Sequence, residues 1–114
     1  MATYSKQLLS GSTSGRPIQI AATATPGTLL HTAHATDKDE VYLYAVNNFA
    51  DANVNLTVEF GGVTAADLVF VTVEATKGLL LVIPGAALTG GLVVRAFAST
   101  TAVINVVGWV NRIT

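Results

Sequence analysis

The chain has 114 residues, of which 51% are hydrophobic and 11% are charged, and its formal net charge at pH 7 is -1. This length fits a single domain, and this hydrophobic content excludes an intrinsically disordered chain. Six basic residues against seven acidic ones, without a basic cluster, argue against nucleic-acid binding through phosphate neutralisation. The lack of cysteine excludes disulfides, thiolate metal sites and thiol nucleophiles.

The charged fraction is low, because a typical globular domain has about 25% charged residues. With a mean hydropathy of +0.55, the chain has too few ionic side chains to cover an ordinary monomer surface. We therefore expect part of the apolar surface to be buried between subunits. The alternative is a monomer whose exterior is covered by Thr, Ser, Asn and Gly.

Residues 1–16 are rich in Ser, Thr and Gly, and their few apolar side chains include Tyr4, Leu8 and Leu9. We expect an extended N-terminal arm outside the core, held by a neighbouring subunit, and a β-sandwich domain over residues 17–114. A flexible leader ordered by chance packing is the alternative. The arm has no apolar core of the length of a secretory signal, so we expect synthesis and retention in the cytosol.

Strand signals begin after residue 16 and recur along the rest of the chain. Period-two alternation, or apolar residues on both faces, is interrupted by turn residues roughly every 8 to 12 positions. The predicted strands are residues 17–21, 28–35, 40–47, 54–60, 67–74, 79–83, 92–98 and 102–113. The pattern predicts an all-β fold, a single antiparallel β-sandwich or jelly-roll-like barrel of about eight strands. A short helix over residues 62–68 is a local alternative.

The interval between Lys77 and Arg95, residues 78–94, has 17 residues without a charge. A membrane-spanning helix needs about 20 apolar residues in sequence, and Pro84-Gly85 and Gly90-Gly91 interrupt this interval. We interpret the region as two buried strands, residues 79–83 and 92–98, around a Pro-Gly loop. We expect part of one of these strands to contact another copy of the chain.

The only histidines, His31 and His34, fall on opposite faces if their segment is a strand. One strand cannot aim both at one metal ion, and the nearby Asp37, Asp39 and Glu40 belong to a predicted solvent-facing loop. We interpret the histidines as ordinary edge or interface residues. No nucleophile motif and no defined carboxylate pair is present, so we predict no enzymatic activity, cofactor or metal site.

Aromatic side chains offer a surface for sugar stacking or for a protein partner. The candidates are Tyr42, Tyr44, Phe49, Phe97 and Trp109. Because Phe97 and Trp109 lie within apolar runs, we expect both to pack in the core. Phe49 lies in a polar turn, so it is either tucked back or offered to a neighbour.

Arg95 shares a strand face with Val93 and Phe97. A buried unpaired charge is too costly. We therefore expect Arg95 either to pair with a carboxylate across the sheet or to take part in a subunit contact.

Several segments taken together resemble small virion proteins of tailed bacteriophages, of the kind encoded near the head genes. These segments are RPIQIAATATPGTLLHTA, DEVYLYAVNN, NLTVEFGG, LLLVIPG, GLVVRAFAS and GWVNRI. The resemblance covers about Arg16 to Ile113 and includes no catalytic motif. It implies an all-β capsid decoration (cement) protein, often a homotrimer, seated on the outside of the shell where major capsid subunits meet. Members of such groups cap a three-fold axis, form head fibres or belong to the tail.

The resulting hypothesis is a structural virion protein that stabilises a bacteriophage shell by binding the major capsid protein. It would reach the outer capsid surface after synthesis in the host bacterial cytoplasm, as a homo-oligomer, without a cofactor, nucleic acid or membrane. The alternative is a head-fibre or tail-associated β module that binds host-surface glycans. The candidate intersubunit or capsid contacts are Tyr4, Leu8, Leu9, Arg16, Phe49 and Arg95.

Overall fold

The computed structural model describes residues 2–114, and over that range the chain forms a sandwich of two β-sheets. The strands are β1 (Tyr4–Leu8), β2 (Ile18–Gln19), β3 (Thr28–Thr32), β4 (Lys38–Asn47), β5 (Val54–Phe60), β6 (Leu68–Val73), β7 (Leu80–Leu88), β8 (Val93–Ala98) and β9 (Ile104–Ile113). The short helix considered near residue 65 is a single 3-10 turn, Ala65–Asp67. The predicted all-β antiparallel sandwich is confirmed, and no helix within residues 2–114 is long and apolar enough to cross a membrane.

One sheet has the order β1-β9-β4-β7, with β2 also paired to β9, and the other has the order β3-β8-β5-β6. All of the pairings between these strands are antiparallel. After β2 the chain changes sheet at every connection except β5–β6, which is Greek-key connectivity. Residues 9–11 hydrogen-bond to β3, and a short turn joins β6 to β7. One edge of the sandwich is therefore β1 with β3, and the other is β6 with β7.

The core lies between the sheets and is built from alternate residues of each strand. On β4 the inward residues are Val41, Leu43 and Ala45, and they face inward residues of β5 such as Leu56 and Val58. All of these side chains are buried. Complete burial of a Leu or Val side chain stabilises a fold by about 1.5–3 kcal/mol, so this alternation selects which face of each strand turns inward.

The N-terminal segment corrects the expectation of an arm outside the core. β1 pairs with β9 from Tyr4 opposite Ile113 to Leu8 opposite Trp109. Leu9 is buried in the core, and the Gly11 amide donates to the Leu30 carbonyl oxygen at 2.9 Å. Residues 4–11 thus belong to the sandwich of their own chain, because the free edge of β9 supplies backbone partners that need no apolar run. Met1 lies outside the described residues.

β7 also differs from the prediction, because the chain stays in the strand through Pro84 and Gly85. The register against β4 shifts between Val41 and Tyr42 and again between Leu43 and Tyr44, as it does at a β-bulge. Proline is tolerated there because β7 is an edge strand and needs no donor on its outer side. Gly85 takes a φ of 101°, which favours glycine. The chain turns only at Gly90-Gly91.

Candidate functional site

A cluster of ionisable residues lies within the sandwich and is called the ion cluster here: His31, Asp39 and Arg112. His31 Nε2 lies 2.7 Å from Asp39 Oδ2. Arg112 donates to the same carboxylate from Nε at 2.8 Å and from Nη2 at 3.1 Å. His31 and Asp39 are fully buried, whereas Arg112 is partly exposed. These positions correct two expectations: His31 lies on the edge strand β3 but its side chain is buried, and Asp39 lies in β4 instead of a solvent-facing loop.

Hydrogen bonds fix the protonation of the ion cluster. His31 Nδ1 accepts the Ser10 amide at 3.0 Å, so the ring proton sits on Nε2 and is donated to Asp39. Burial alone raises the pKa of Asp39, but hydrogen bonds from Arg112 and His31 outweigh it and lower that pKa to about 2. The same contact with Asp39 raises the pKa of Arg112. The cluster therefore holds a carboxylate and a guanidinium as an ion pair at neutral pH.

The ion cluster serves to join elements and has no group free for proton transfer. Both ring nitrogens of His31 are engaged. Its members come from β3, β4 and β9, and Ser10 adds the segment that follows β1. Hydrogen bonds that fully satisfy a buried charge network fix one arrangement of the elements that carry it. We conclude that the cluster positions the N-terminal segment relative to both sheets.

His34 organises the turn that precedes β4. Its amide donates to Asp39 Oδ2 at 3.3 Å, while its Nδ1 accepts the amides of Thr36 at 3.1 Å and Asp37 at 2.9 Å. His34 is only partly buried, with Asp37 Oδ2 3.8 Å from Nδ1. Within the described part of the chain, no three His, Asp or Glu side chains are grouped as metal ligands.

A second buried carboxylate, Glu59, holds the turn before β3. Glu59 accepts the Thr25 hydroxyl, and its Oε1 accepts the Gly27 amide at 2.7 Å. Arg95 Nη1 donates to the Gly27 carbonyl oxygen at 3.3 Å. Glu59 lies on β5, where this turn folds over its side chain and buries it.

Arg95 was expected to pair with a carboxylate across the sheet or to take part in a subunit contact. The structure meets the first expectation only in part. It lies directly opposite Glu59 in the pairing of β5 with β8. Among residues 2–114, however, no oxygen of Glu59 lies within 4.0 Å of the Arg95 side-chain nitrogens, and the guanidinium binds a backbone oxygen instead. The proposed subunit contact of Arg95 stays a prediction.

Three aromatic rings form a stack on the outer face of the β1-β9-β4-β7 sheet. The ring centroids of Tyr42 and Trp109 are 5.0 Å apart with an interplanar angle of 15°, and those of Tyr44 and Trp109 are 5.9 Å apart at 24°. Adjacent strands are about 4.8 Å apart, so the stack runs across the strands and the rings present their edges to solvent. Lys6 Nζ lies 5.0 Å from the Trp109 centroid, from the strand on the other side.

The prediction of core packing was wrong for Trp109 and Phe97. Trp109 lies in the outer stack, and Phe97 alternates with the buried Ala96 and Ala98, so it faces away from the core. The prediction failed because β8 and β9 carry apolar side chains on both faces. Only one face packs against the core, so apolar neighbours in the sequence do not show which face a residue is on. Phe49 is the opposite case and is tucked back against the core.

The remaining predicted contact residues fall on different parts of the surface. Tyr4 and Leu8 are exposed along β1, but Leu9 is buried and cannot contact a partner. Arg16 is exposed beside a shallow, mostly polar depression. The structure therefore brings Tyr4 and Leu8 together on one edge and separates them from the partly buried Arg95 and Phe49.

Large exposed apolar side chains are concentrated on the two edges of the sandwich and on the turns beside them. They are Tyr4, Leu8, Leu29, Val63, Leu68, Phe70, Leu79, Leu80, Leu81 and Leu92. Beside the start of β7 lies a groove of about 260 Å³. Its lining residues are Thr72, Val73, Glu74, Lys77, Gly78, Leu79 and Leu80. The sequence predicted a buried strand over residues 79–83, but Leu79, Leu80 and Leu81 are exposed in the structure. Their contact with another copy of the chain stays a prediction.

One signal in the sequence indicates the ion cluster in retrospect. Asp39 has the same parity as the inward residues Val41 and Leu43, and Arg112 has the same parity as the inward Val110. A charge at a core-facing position requires a partner. Parity alone does not identify that partner, because Asp39 and Arg112 are separated by most of the chain.

Comparison of the chain with protein-family models, with curated proteins and with solved structures finds no match. The function must therefore be argued from the surfaces and contacts described above.

Proposed function

We propose that this chain is a structural virion protein that decorates a bacteriophage capsid and stabilises the shell by binding the major capsid protein. The observation that carries the proposal is the exposure of large apolar side chains on both edges of the sandwich. A monomeric soluble protein exposes few contiguous apolar patches, and larger ones mark contact sites. In a chain that is only 11% charged, such edges favour a role in assembly.

The strand order gives further support. The strand orders 1-9-4-7, with β2 also paired to β9, and 3-8-5-6 support a jelly-roll interpretation, in which two Greek keys wrap around one core. Viral capsid domains and lectins use this architecture. Because a fold hosts many functions, the strand order supports the virion proposal only together with the sequence resemblance and the apolar edges.

In this proposal the chain acts as a homo-oligomer on the outer capsid surface. Several copies held together bind several capsid subunits at once, so weak individual contacts add up to strong attachment through avidity. Attachment then stiffens the shell because each contact must break before neighbouring capsid subunits separate. Neither a cofactor nor a chemical step is part of this role.

The test is binding to capsids that lack the protein. Purified chain is mixed with such capsids and sedimented, and the bound fraction is measured with increasing protein. We expect saturable binding and a higher temperature of capsid disruption in the decorated particles. Absence of binding, or binding without any gain in capsid stability, would contradict the proposal.

A glycan-binding role is the second candidate, favoured by the surface stack of Tyr42, Tyr44 and Trp109. The geometry gives it less support, since Tyr42 and Lys6 cover the two faces of Trp109 that a sugar would stack on. A glycan array separates the two roles: a specific sugar hit lost in Trp109→Ala would favour this candidate over decoration.

A further inference from the structure

The two edges of the sandwich differ in shape. On β1, Tyr4 and Leu8 are 64% and 57% exposed and project from the outer face of their sheet. The opposite edge carries the groove beside β7, where Leu79 and Leu80 are 58% and 40% exposed. We call these the projecting edge and the groove edge. The projecting edge has the form of an apolar anchor, and the groove edge has the form of a site that can bind such an anchor.

The two edges also differ in charge. Residues 2–36 contain Lys6 and Arg16 but no acidic residue, so the projecting edge is basic. Residues 61–94 carry Asp67 and Glu74 against Lys77, which leaves the groove edge with one net negative charge. Glu74 and Lys77 are 4.0 Å apart and largely exposed, so their pairing contributes little and leaves Glu74 available to a partner's cation.

The groove edge is poorly suited to backbone hydrogen bonding with a partner strand. Pro84 lacks an amide donor, and the bulges of β7 distort the outer row of its backbone groups. A partner must therefore cover the leucines through side-chain packing. An apolar projection flanked by basic residues fits that requirement, and the chain itself carries one on its opposite edge.

We propose that the projecting edge of one copy packs into the groove edge of the next copy, with Tyr4 and Leu8 against Leu79 and Leu80. Such an interface is heterologous, because the two contacting surfaces differ, and it forms a closed ring when the rotation between copies closes. The inference rests on the self-association in the proposed function and specifies which surfaces make it.

The test uses two variants of the full chain that each disable one edge, Leu8→Glu and Leu79→Glu. Both introduce an acid, so the altered edges cannot attract one another. Leu92→Glu is the matched control, since Leu92 is a 48% exposed leucine beyond the far end of β7. Circular dichroism and thermal unfolding verify that each variant folds, and sedimentation velocity gives the mass of each variant alone and of an equimolar mixture.

We expect an oligomer for the parent chain and for Leu92→Glu, and a monomer for each edge variant alone. The mixture should form a dimer, because the intact groove edge of Leu8→Glu meets the intact projecting edge of Leu79→Glu. If only one edge variant loses self-association, the interface pairs identical surfaces and this inference is wrong, although self-association stands. A monomeric parent chain would overturn both the self-association and the edge-to-groove interface. Capsid binding is measured in a separate experiment, so the two proposals can fail independently.

Discussion

At the scale of single residues, Asp39 shows how the chain uses its few charges. Its carboxylate has no solvent contact, yet it accepts hydrogen bonds from two side chains and one amide. A buried ion pair gives weak net stabilisation compared with an apolar pair, but removal of one partner leaves an uncompensated charge. Asp39 is therefore far more costly to replace than its exposed neighbours.

We predict that Asp39→Asn lowers the free energy of unfolding by about 3–5 kcal/mol, because it leaves Arg112 without its carboxylate. Urea unfolding at neutral pH measures the effect. Asp51→Asn is the control, since Asp51 is exposed in the turn after β4 and should change stability by less than about 0.5 kcal/mol. Equal losses in the two variants would mean that the ion cluster does not hold the fold.

Because Asp39 is ionised in the folded chain, we also predict that the free energy of unfolding falls in acid. The folded pKa of Asp39 is about 2 against an ordinary value of 3.8, so its contribution is complete above about pH 4 and disappears as pH falls through 2. The shift corresponds to about 2 kcal/mol. Urea midpoints measured between pH 6 and pH 2 should fall more steeply in the parent chain than in Asp39→Asn. Parallel profiles would show that Asp39 is not the group that titrates.

At the scale of elements, β1 and β7 show what limits prediction from sequence. The other strands show period-two alternation or apolar residues on both faces, and these signals locate them approximately. β1 has no such signal, because its outward Tyr4 and Leu8 remain exposed and its stability comes from backbone pairing with β9. The continuity of β7 is not evident from the sequence, because Pro84 and Gly85 predict a loop. A strand can contain them when it lies at the edge of a sheet, which the sequence does not reveal.

We predict that Gly85→Ala destabilises the fold more than Gly90→Ala. Both glycines have positive φ, but a Cβ at Gly85 would lie 3.0 Å from the Tyr42 ring, whereas one at Gly90 meets nothing within 4 Å. Gly90→Ala should cost about 1–2 kcal/mol for backbone strain alone. Thermal unfolding, followed by Trp109 fluorescence to report the stack, measures the difference. Equal destabilisation by the two substitutions would show that the Tyr42 ring moves away from the added Cβ at no cost in stability.

Removal of β1 tests whether it is an arm or part of the sandwich. A chain shortened to begin at Leu9 should lose at least about 2 kcal/mol, because each lost backbone hydrogen bond contributes about 0.5–1.5 kcal/mol. The double variant Tyr4→Ser, Leu8→Ser keeps the backbone pairing and should retain most of the stability measured by urea unfolding. A shortened chain as stable as its parent would restore the arm interpretation.

At the scale of the whole molecule, the composition led us to expect apolar surface buried between subunits, an expectation that stays a prediction. The composition did not indicate where that surface lies. The pairing of distant strands determines the location. β1 reaches one edge only because it pairs with β9, and the leucines at the start of β7 reach the other because β7 pairs only with β4. The ion cluster was beyond prediction for the same reason, since Asp39 and Arg112 become neighbours only in the folded chain.

The pairing of β1 with β9 has a mechanical consequence. Thr3 and Thr114 hydrogen-bond to each other at the open end of an antiparallel pair. A force that pulls these two residues apart loads the hydrogen bonds one after another, so the pair unzips rather than shears. Peeling would proceed from Tyr4 to Leu8 at low force and then stop at Leu9, where the core and the ion cluster hold the next segment.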